Sequence, residues 1–269
     1  MAEPEDSDGE RPFGDVRDLD APHAGSENGR GVASPRAIVL AGGLGMRLRP
    51  YTMVLPKPLI PVGDRPIVEQ IIRRLAASGV TRVDVCLGRH LGALIQTYFS
   101  QTKLPPGLEL VFQWEEEPQG TAGALRGVPD LDASFIAMNG DILTTVDFHA
   151  MLRTHEEHGA ALTIATQRER VDVALGVIES RNDRVVGYRE KPSLHYDVSM
   201  GIYIFHPRAL DHLPRNGPCQ FPELVLRLLE VGELVVPFRT DVPWYDIGTL
   251  SEYERALGHV SRTPEVFQL

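Results

Sequence analysis

The stretch at 38–66, IVLAGGLGMRLRPYTMVLPKPLIPVGDRP, places the tightest limits on the fold. An apolar run reads as a buried strand and stops abruptly at Ala41-Gly42-Gly43-Leu44-Gly45. Arg47 and Arg49 follow, and a proline-stiffened segment then carries one lysine, Pro56-Lys57-Pro58. A strand that empties into glycines lets backbone N–H groups approach an anion closely. Arg47 and Lys57 supply mobile positive charge, so the stretch reads as a polyphosphate site. A Walker A loop would need Lys and then Ser or Thr after its last glycine, where this chain has Met46-Arg47. A dinucleotide fingerprint would need a third glycine where Leu48 stands. A tight structural turn is the alternative, and Arg47, Lys57, Pro50, Pro56, Pro58 and Pro61 weigh against it.

The rest of the chain alternates strand-like and helix-like segments, the pattern of a largely parallel sheet. A strand at 36–41 is followed by a helix from Pro66, with Ile67, Ile71, Ile72 and Leu75 on one face and Gly79 as its stop. A strand at 81–87 precedes a helix at 90–100 with Leu91, Leu94, Ile95 and Tyr98 inward. Strands at 108–113 and 135–138, a helix at 148–158 and a strand at 161–166 come next. A β-rich stretch at 174–205 and helices at 221–230 and 251–257 complete the pattern.

The net charge of −10 is uneven: residues 1–34 carry −6 and residues 35–269 carry −4. A mildly negative body has no broad basic surface, which argues against nucleic acid as a partner. The acidic, Gly- and Pro-rich segment 1–34 reads as a disordered tail, with a docking peptide as the alternative. Residues 35–262 read as one domain and 263–269 as a C-terminal tail. Cys86 and Cys219 have apolar neighbours and read as buried, reduced thiols of a cytoplasmic protein. No apolar run reaches the roughly 18 residues that span a bilayer, and the acidic N-terminus is unlike a signal peptide. No membrane association is expected.

Ligands of such sheets bind beyond the carboxyl ends of the strands. Three conspicuous segments follow predicted strands: 42–57, 139–141 and 190–191. Asn139-Gly140-Asp141 puts a carboxylate at that edge, where a hard divalent cation would bind together with phosphate oxygens; a Gly-Asp turn is the alternative. Asp246, between Tyr245 and Ile247, is costly to bury unless it meets a cation. It could instead cap the next helix, though Thr249 and Ser251 suit that task better. Glu190-Lys191-Pro192 could meet a second phosphate and hydroxyl groups, or be a solvated charge pair. Gly120-Thr121-Ala122-Gly123-Ala124, after Glu115-Glu116-Glu117-Pro118-Gln119, opens a small-residue helix against which a flat base could lie; good packing is the alternative. His155 and His158 lack a third metal ligand and read as a solvated helical face.

Taken together, these residues make the sequence resemble the nucleotide-sugar pyrophosphorylases, the sugar-1-phosphate nucleotidyltransferases. The resemblance covers about 36–258 and rests on Gly42 to Leu48, Pro56-Lys57-Pro58, and the segments 120–123, 139–141, 190–192, 199–203 and 244–249 in that order. The chain is most similar to the mannose-1-phosphate guanylyltransferase-like branch. The resemblance implies a Rossmann-like three-layer α/β fold around a mixed, mostly parallel sheet. It implies transfer of a nucleoside monophosphate, GMP from GTP, to a sugar 1-phosphate, with pyrophosphate released. Carried over residue by residue, Gly42, Gly43 and Gly45 would cradle the triphosphate, with Leu40, Ala41, Asn139 and Gly140 also on the nucleotide. Arg47 would hold the departing pyrophosphate and Lys57 the α-phosphate. Gly120 and Thr121 would lie beside the base, and Asp141 and Asp246 would hold Mg2+. Lys191 would bind the sugar phosphate, with Gly176, Glu190 and Ser199 near the sugar. Arg65 stands where lysine is usual, Gln119 where leucine is frequent, and Ser199-Met200-Gly201 where Asn-Ala-Gly is frequent. The C-terminal β-helix domain of many relatives is not expected, and a homo-oligomer is possible. The alternatives are the same chemistry with dTTP, UTP, CTP or ATP, an acceptor that is a heptose or cyclitol phosphate, and a non-catalytic regulatory subunit.

Overall fold

The computed structural model describes residues 35–43 and 45–267. The segment 1–34, expected to be disordered, lies outside the described residues. The chain enters through β1 (Arg36–Leu40), passes short 3-10 turns, and forms the two-residue strands β2 (Pro61–Val62) and β3 (Arg65–Pro66). Helix α1 (Ile67–Ala77), β4 (Arg82–Gly88), α2 (Gly92–Gln101), β5 (Glu109–Glu115) and β6 (Phe135–Asn139) follow. Next come β7 (Ile142–Thr144), α3 (Phe148–His158), β8 (Leu162–Asp172), β9 (Val177–Arg181), β10 (Arg184–Arg189) and β11 (Ser193–Phe205). The last elements are α4 (Phe221–Glu230), β12 (Val235–Arg239), β13 (Trp244–Asp246), α5 (Leu250–Arg262) and α6 (Pro264–Phe267).

Seven strands make the central sheet in the order β12-β8-β11-β6-β1-β4-β5. β6, β1, β4 and β5 run parallel, as do β12 and β8, and β11 is antiparallel to both its neighbours. The expected mixed, mostly parallel α/β sheet is therefore present. Strands β1, β4 and β6 are buried on both faces, so Ala37 and Val39 point to one layer while Ile38 points to the other. The first layer holds α1, α2, α3 and α5. On α1, Ile67, Val68, Ile71, Ile72 and Leu75 recur at helical spacing and are all buried. The second layer is built on α4, whose Phe221 lies against Tyr203 and Phe205 with ring centroids 4.2 and 5.7 Å apart.

Four expectations need correction. Helix α2 begins at Gly92, after Leu91 in the left-handed region, so its buried residues are Gly92, Ile95 and Phe99 and Leu94 is exposed. The strand expected to end at Thr166 continues to Asp172, because β11 keeps pairing with it from Val198 to Ser193. Those later residues gain backbone hydrogen bonds without burial, and a pattern of burial is all that periodicity reports. His155 is not on a solvated face: it is 2% exposed, and its Nδ1 is 2.9 Å from the Thr163 hydroxyl of β8. Residues 264–267 form a helical turn, and Phe267 is buried against His259, so the C-terminal tail includes part of the core. No helix among the described residues is long and apolar enough to cross a membrane.

Burial, with Arg208 and His206 nearby, lowers the His155 pKa from 6.5 to about 4. A depressed histidine favours the fold fully above its ordinary pKa, and that contribution is lost as pH falls from 6.5 through about 4. Urea midpoints measured across this range should fall more steeply in the wild type than in His155→Gln, which can still bond to Thr163.

Candidate active site

The parallel strands β1, β4, β5 and β6 end at one edge, and a cleft of ≈ 320 Å³ opens there. Strand ends bring Leu40, Cys86, Glu115 and Asn139 to it. The loops after them add Ala41, Gly42, Gly43, Gly120, Thr121, Gly140 and Asp141, and the proline-flanked turn adds Lys57 and Pro58. The glycines of the loop do different jobs. Gly45 has φ +60, a conformation that disfavours a Cβ, and a Cβ there would stand 2.9 Å from Thr52 and 3.1 Å from Lys57. It does not line the cleft; it lets the chain fold back so that Lys57 does, with the Thr52 hydroxyl donating to the Gly45 carbonyl at 2.8 Å. A Cβ on Gly43 would meet nothing within 4 Å, so that face of the loop is open.

Lys57 is 9% exposed and forms an ion pair with Asp141. Its Nζ lies 3.9 Å from Asp246. Asp246 reaches this position because β13 pairs with β7, Asp246 opposite Ile142, and the Ile247 N–H donates to the Asp141 carbonyl at 3.1 Å. Thr249 caps α5 by accepting from Glu252, so Asp246 is not needed as a cap. Burial, then the neighbouring Asp141, pushes the Asp246 pKa upward, against the opposing pull of Lys57 and Arg47. Arg47 is exposed and stands over Gly248, where a Cβ would be 3.0 Å from its guanidinium. It flanks the carboxylates and is not part of the cleft lining.

One lysine thus faces two carboxylates, and the buried Oδ1 atoms of Asp141 and Asn139 have no hydrogen-bond partner. Unpaired hard oxygens beside excess negative charge fit a divalent cation. No group of three or more His, Cys, Asp or Glu suited to a metal occurs among the described residues. Two carboxylates are the complement expected of a cation whose other ligands are phosphate oxygens and water.

The predicted acceptor residues gather elsewhere. β8 and β11 continue beyond the end of β6 as a two-stranded ribbon, and the β9–β10 hairpin lies at its far end. Glu190 accepts a 2.7 Å hydrogen bond from Tyr188, whose hydroxyl sits where a side chain on Gly176 would be, and Lys191 is 3.9 Å from Glu190. Ser199 is nearer the sheet and is hydrogen-bonded to Tyr203. Gly176, Glu190, Lys191 and Ser199 do not line the cleft.

Residues 36–262 match the family model described as nucleotidyl transferase. The chain belongs to this family. This agrees with the sequence resemblance to sugar-1-phosphate nucleotidyltransferases. A UTP–glucose-1-phosphate uridylyltransferase of Synechocystis sp. is 30% identical across 84% of this chain and 64% of its own length. A mannose-1-phosphate guanyltransferase of Candida albicans is 30% identical across 81% of this chain and 62% of its own. The chain therefore spans somewhat less than two thirds of these relatives. The crystal structure of HddC from Yersinia pseudotuberculosis shares the fold, with a TM-score of 0.65 at 24% identity over 84% of this chain and 99% of that one.

Two residues of this nucleotidyl transferase cleft escaped the sequence reading. Glu115 closes β5, and burial raises its pKa despite a hydrogen bond from the Gln119 backbone. Its neighbour Glu116 is exposed and pairs with Arg89. Alternation along the strand could have picked Glu115 from the three consecutive acids. Gln220 arrives from the segment before α4, and its Oε1 accepts from both the N–H and the hydroxyl of Thr121. No motif marks it.

Gly120 has φ +75, and a Cβ there would be 2.5 Å from the Cys219 carbonyl. Gly120→Ala is therefore expected to cost about 1–3 kcal/mol. Gly43→Ala, placed in open space, should change stability by less than about 0.5 kcal/mol. Urea denaturation of the two variants checks the contrast.

Proposed function

We propose that the domain transfers a nucleoside monophosphate from a nucleoside triphosphate to a sugar 1-phosphate and releases pyrophosphate. The observation that carries this reading is the convergence of the open glycine loop, Lys57 and the carboxylates of Asp141 and Asp246 at one edge of the sheet. The backbone N–H groups of the loop hold the triphosphate, and Lys57 neutralises the α-phosphate. Arg47, beside Asp246, meets the leaving pyrophosphate. Asp141 and Asp246 would hold Mg2+, which when bound would offset phosphate charge. An oxygen of the sugar phosphate attacks the α-phosphorus as the bond to the pyrophosphate oxygen breaks. That oxygen is already anionic, so no general base is required, and catalysis rests on alignment and charge neutralisation. Lys191 and Glu190 on the ribbon serve the sugar phosphate.

Glu115 favours GTP. A carboxylate can accept from both N1–H and the 2-amino group of guanine. Uracil and thymine present a single N–H between two carbonyls, which repel a carboxylate. UTP is the competing reading, supported by the name of the Synechocystis relative. Pyrophosphate release should be fastest with GTP when all NTPs are compared across a panel of sugar 1-phosphates. No turnover with any NTP would reject the transferase reading, and a UTP preference would reject only the base. Asp141→Asn should abolish turnover. Glu115→Gln should lower kcat/KM for GTP by about 10- to 100-fold, the range for a hydrogen bond to a charged group. Gly43→Ala should weaken nucleotide binding by crowding the loop while the fold stays intact.

A further inference from the structure

We propose that Gln220 is a base-specificity residue, presenting its Nε2–H donor to the 6-oxo group of the purine. The inference rests on the guanine reading above and adds the second reader of the base. The orientation of the amide follows from its partners. Thr121 N–H is a donor that needs an acceptor, and Gln220 Oε1 takes it at 3.2 Å. The Thr121 hydroxyl accepts from the Phe221 N–H at 2.9 Å and so donates to the same Oε1, at 3.1 Å. With Oε1 used twice, the amide nitrogen is turned the other way. It stands over Gly120, where a Cβ would be only 2.9 Å from it.

That place is held rigidly. Ala122 N–H and Gly123 N–H both donate to the Cys219 carbonyl, at 3.0 and 2.9 Å, and Cys219 N–H donates to the Gln119 carbonyl at 2.8 Å. Arg126 ties Gln119 to Gly217 with hydrogen bonds of 2.7 and 2.6 Å. The segment before α4 and the turn at Gly120 are thus one wall, and Gln220 and Glu115 line the same cleft. A donor and a carboxylate lining one cleft suit the Watson–Crick edge of guanine, an acceptor at position 6 followed by donors at N1 and position 2. Adenine offers a donor at position 6 and meets the amide N–H₂ with the wrong polarity. A site that hydrogen-bonds one edge rejects analogues that leave its polar groups unpaired.

The test is steady-state turnover with GTP, 6-thio-GTP, which changes only position 6, and ITP, which lacks only the 2-amino group. The wild type should prefer GTP over 6-thio-GTP by about fivefold, the scale of one neutral hydrogen bond. Gln220→Ala should bring that preference within about twofold and leave the GTP-to-ITP ratio unchanged. Gln220→Glu keeps the acceptor for Thr121 and removes the donor, so it should lose the same preference. Any added repulsion of the triphosphate cancels in the ratio. In the Glu115→Gln variant the ITP ratio should move instead. A GTP-preferring wild type whose 6-thio ratio is unchanged in both Gln220 variants overturns the Gln220 assignment and leaves the guanine reading standing. A wild type that prefers UTP overturns both.

Discussion

The ion pair between Lys57 and Asp141 joins the loop after β1 to the end of β6, and the arrangement of the cleft follows from it. A lysine with so little exposure is costly without a counter-charge. To bring it to Asp141 the chain must reverse direction between Gly45 and Pro58. Short 3-10 turns, the left-handed Gly45 and the bond from Thr52 to its carbonyl achieve this. Leu59 and Ile60 then enter the core beside α1 and anchor the far end of the loop. The same lysine lies near Asp246, so two carboxylates are held around one cation. That imbalance leaves oxygen ligands for a further positive charge and ties the stability of the loop to the chemistry proposed for it.

How much of this could be read from the sequence depends on how local the signal was. Strand β1 and helices α1, α3 and α4 combine a clear apolar pattern with a proline, an aspartate cap or a glycine stop within a few residues. That Gly42, Gly43 and Lys57 come to one cleft was legible for the same reason, since they lie in one stretch. Asp141 stood out by its place just after a strand end, and Asp246 by the cost of a carboxylate between Tyr245 and Ile247. Gln220 could not be found this way. Its partner Thr121 is distant in sequence, and only the fold places the two side by side. His155 escaped because Glu156 and Glu157 after it are polar and exposed while its partner Thr163 lies on β8, and Phe267 escaped because it packs on His259 of another helix.

The ribbon formed by β8 and β11 shows the limit of a reading based on burial. Its inner halves lie in the sheet and alternate with apolar residues. Its outer halves, from Gln167 and Val198 outward, remain paired while most of their side chains face solvent. Backbone pairing, with a side-chain bond from Ser193 to Asp172, carries Gly176, Glu190 and Lys191 beyond the edge where the cleft opens. This extension also places Gly176, Glu190 and Lys191, three of the proposed acceptor residues, in their own cluster around Tyr188. They are mounted on a two-stranded arm, whereas Ala41, Gly42 and Gly140, proposed for the nucleotide, follow the ends of β1 and β6, which are buried on both faces.

In the proposed reading, the two ends of the nucleotide are recognised by different means, and the difference has a physical source. A phosphate is a diffuse anion of nearly constant shape, so backbone N–H groups and one buried lysine suffice to hold it. Such a site needs glycines and a stiffened loop, and these leave a recognisable sequence. A base is identified by the order of donors and acceptors along one edge. That order must be met by side chains whose polarity is fixed, here Glu115 at the end of β5 and Gln220 before α4. Each is oriented by its neighbours, Glu115 by the Gln119 N–H and Gln220 by Thr121. The loop proposed for the triphosphate therefore belongs to a continuous stretch of the chain. The choice of base belongs to a surface assembled from segments about a hundred residues apart, and it becomes visible only once those segments are folded together.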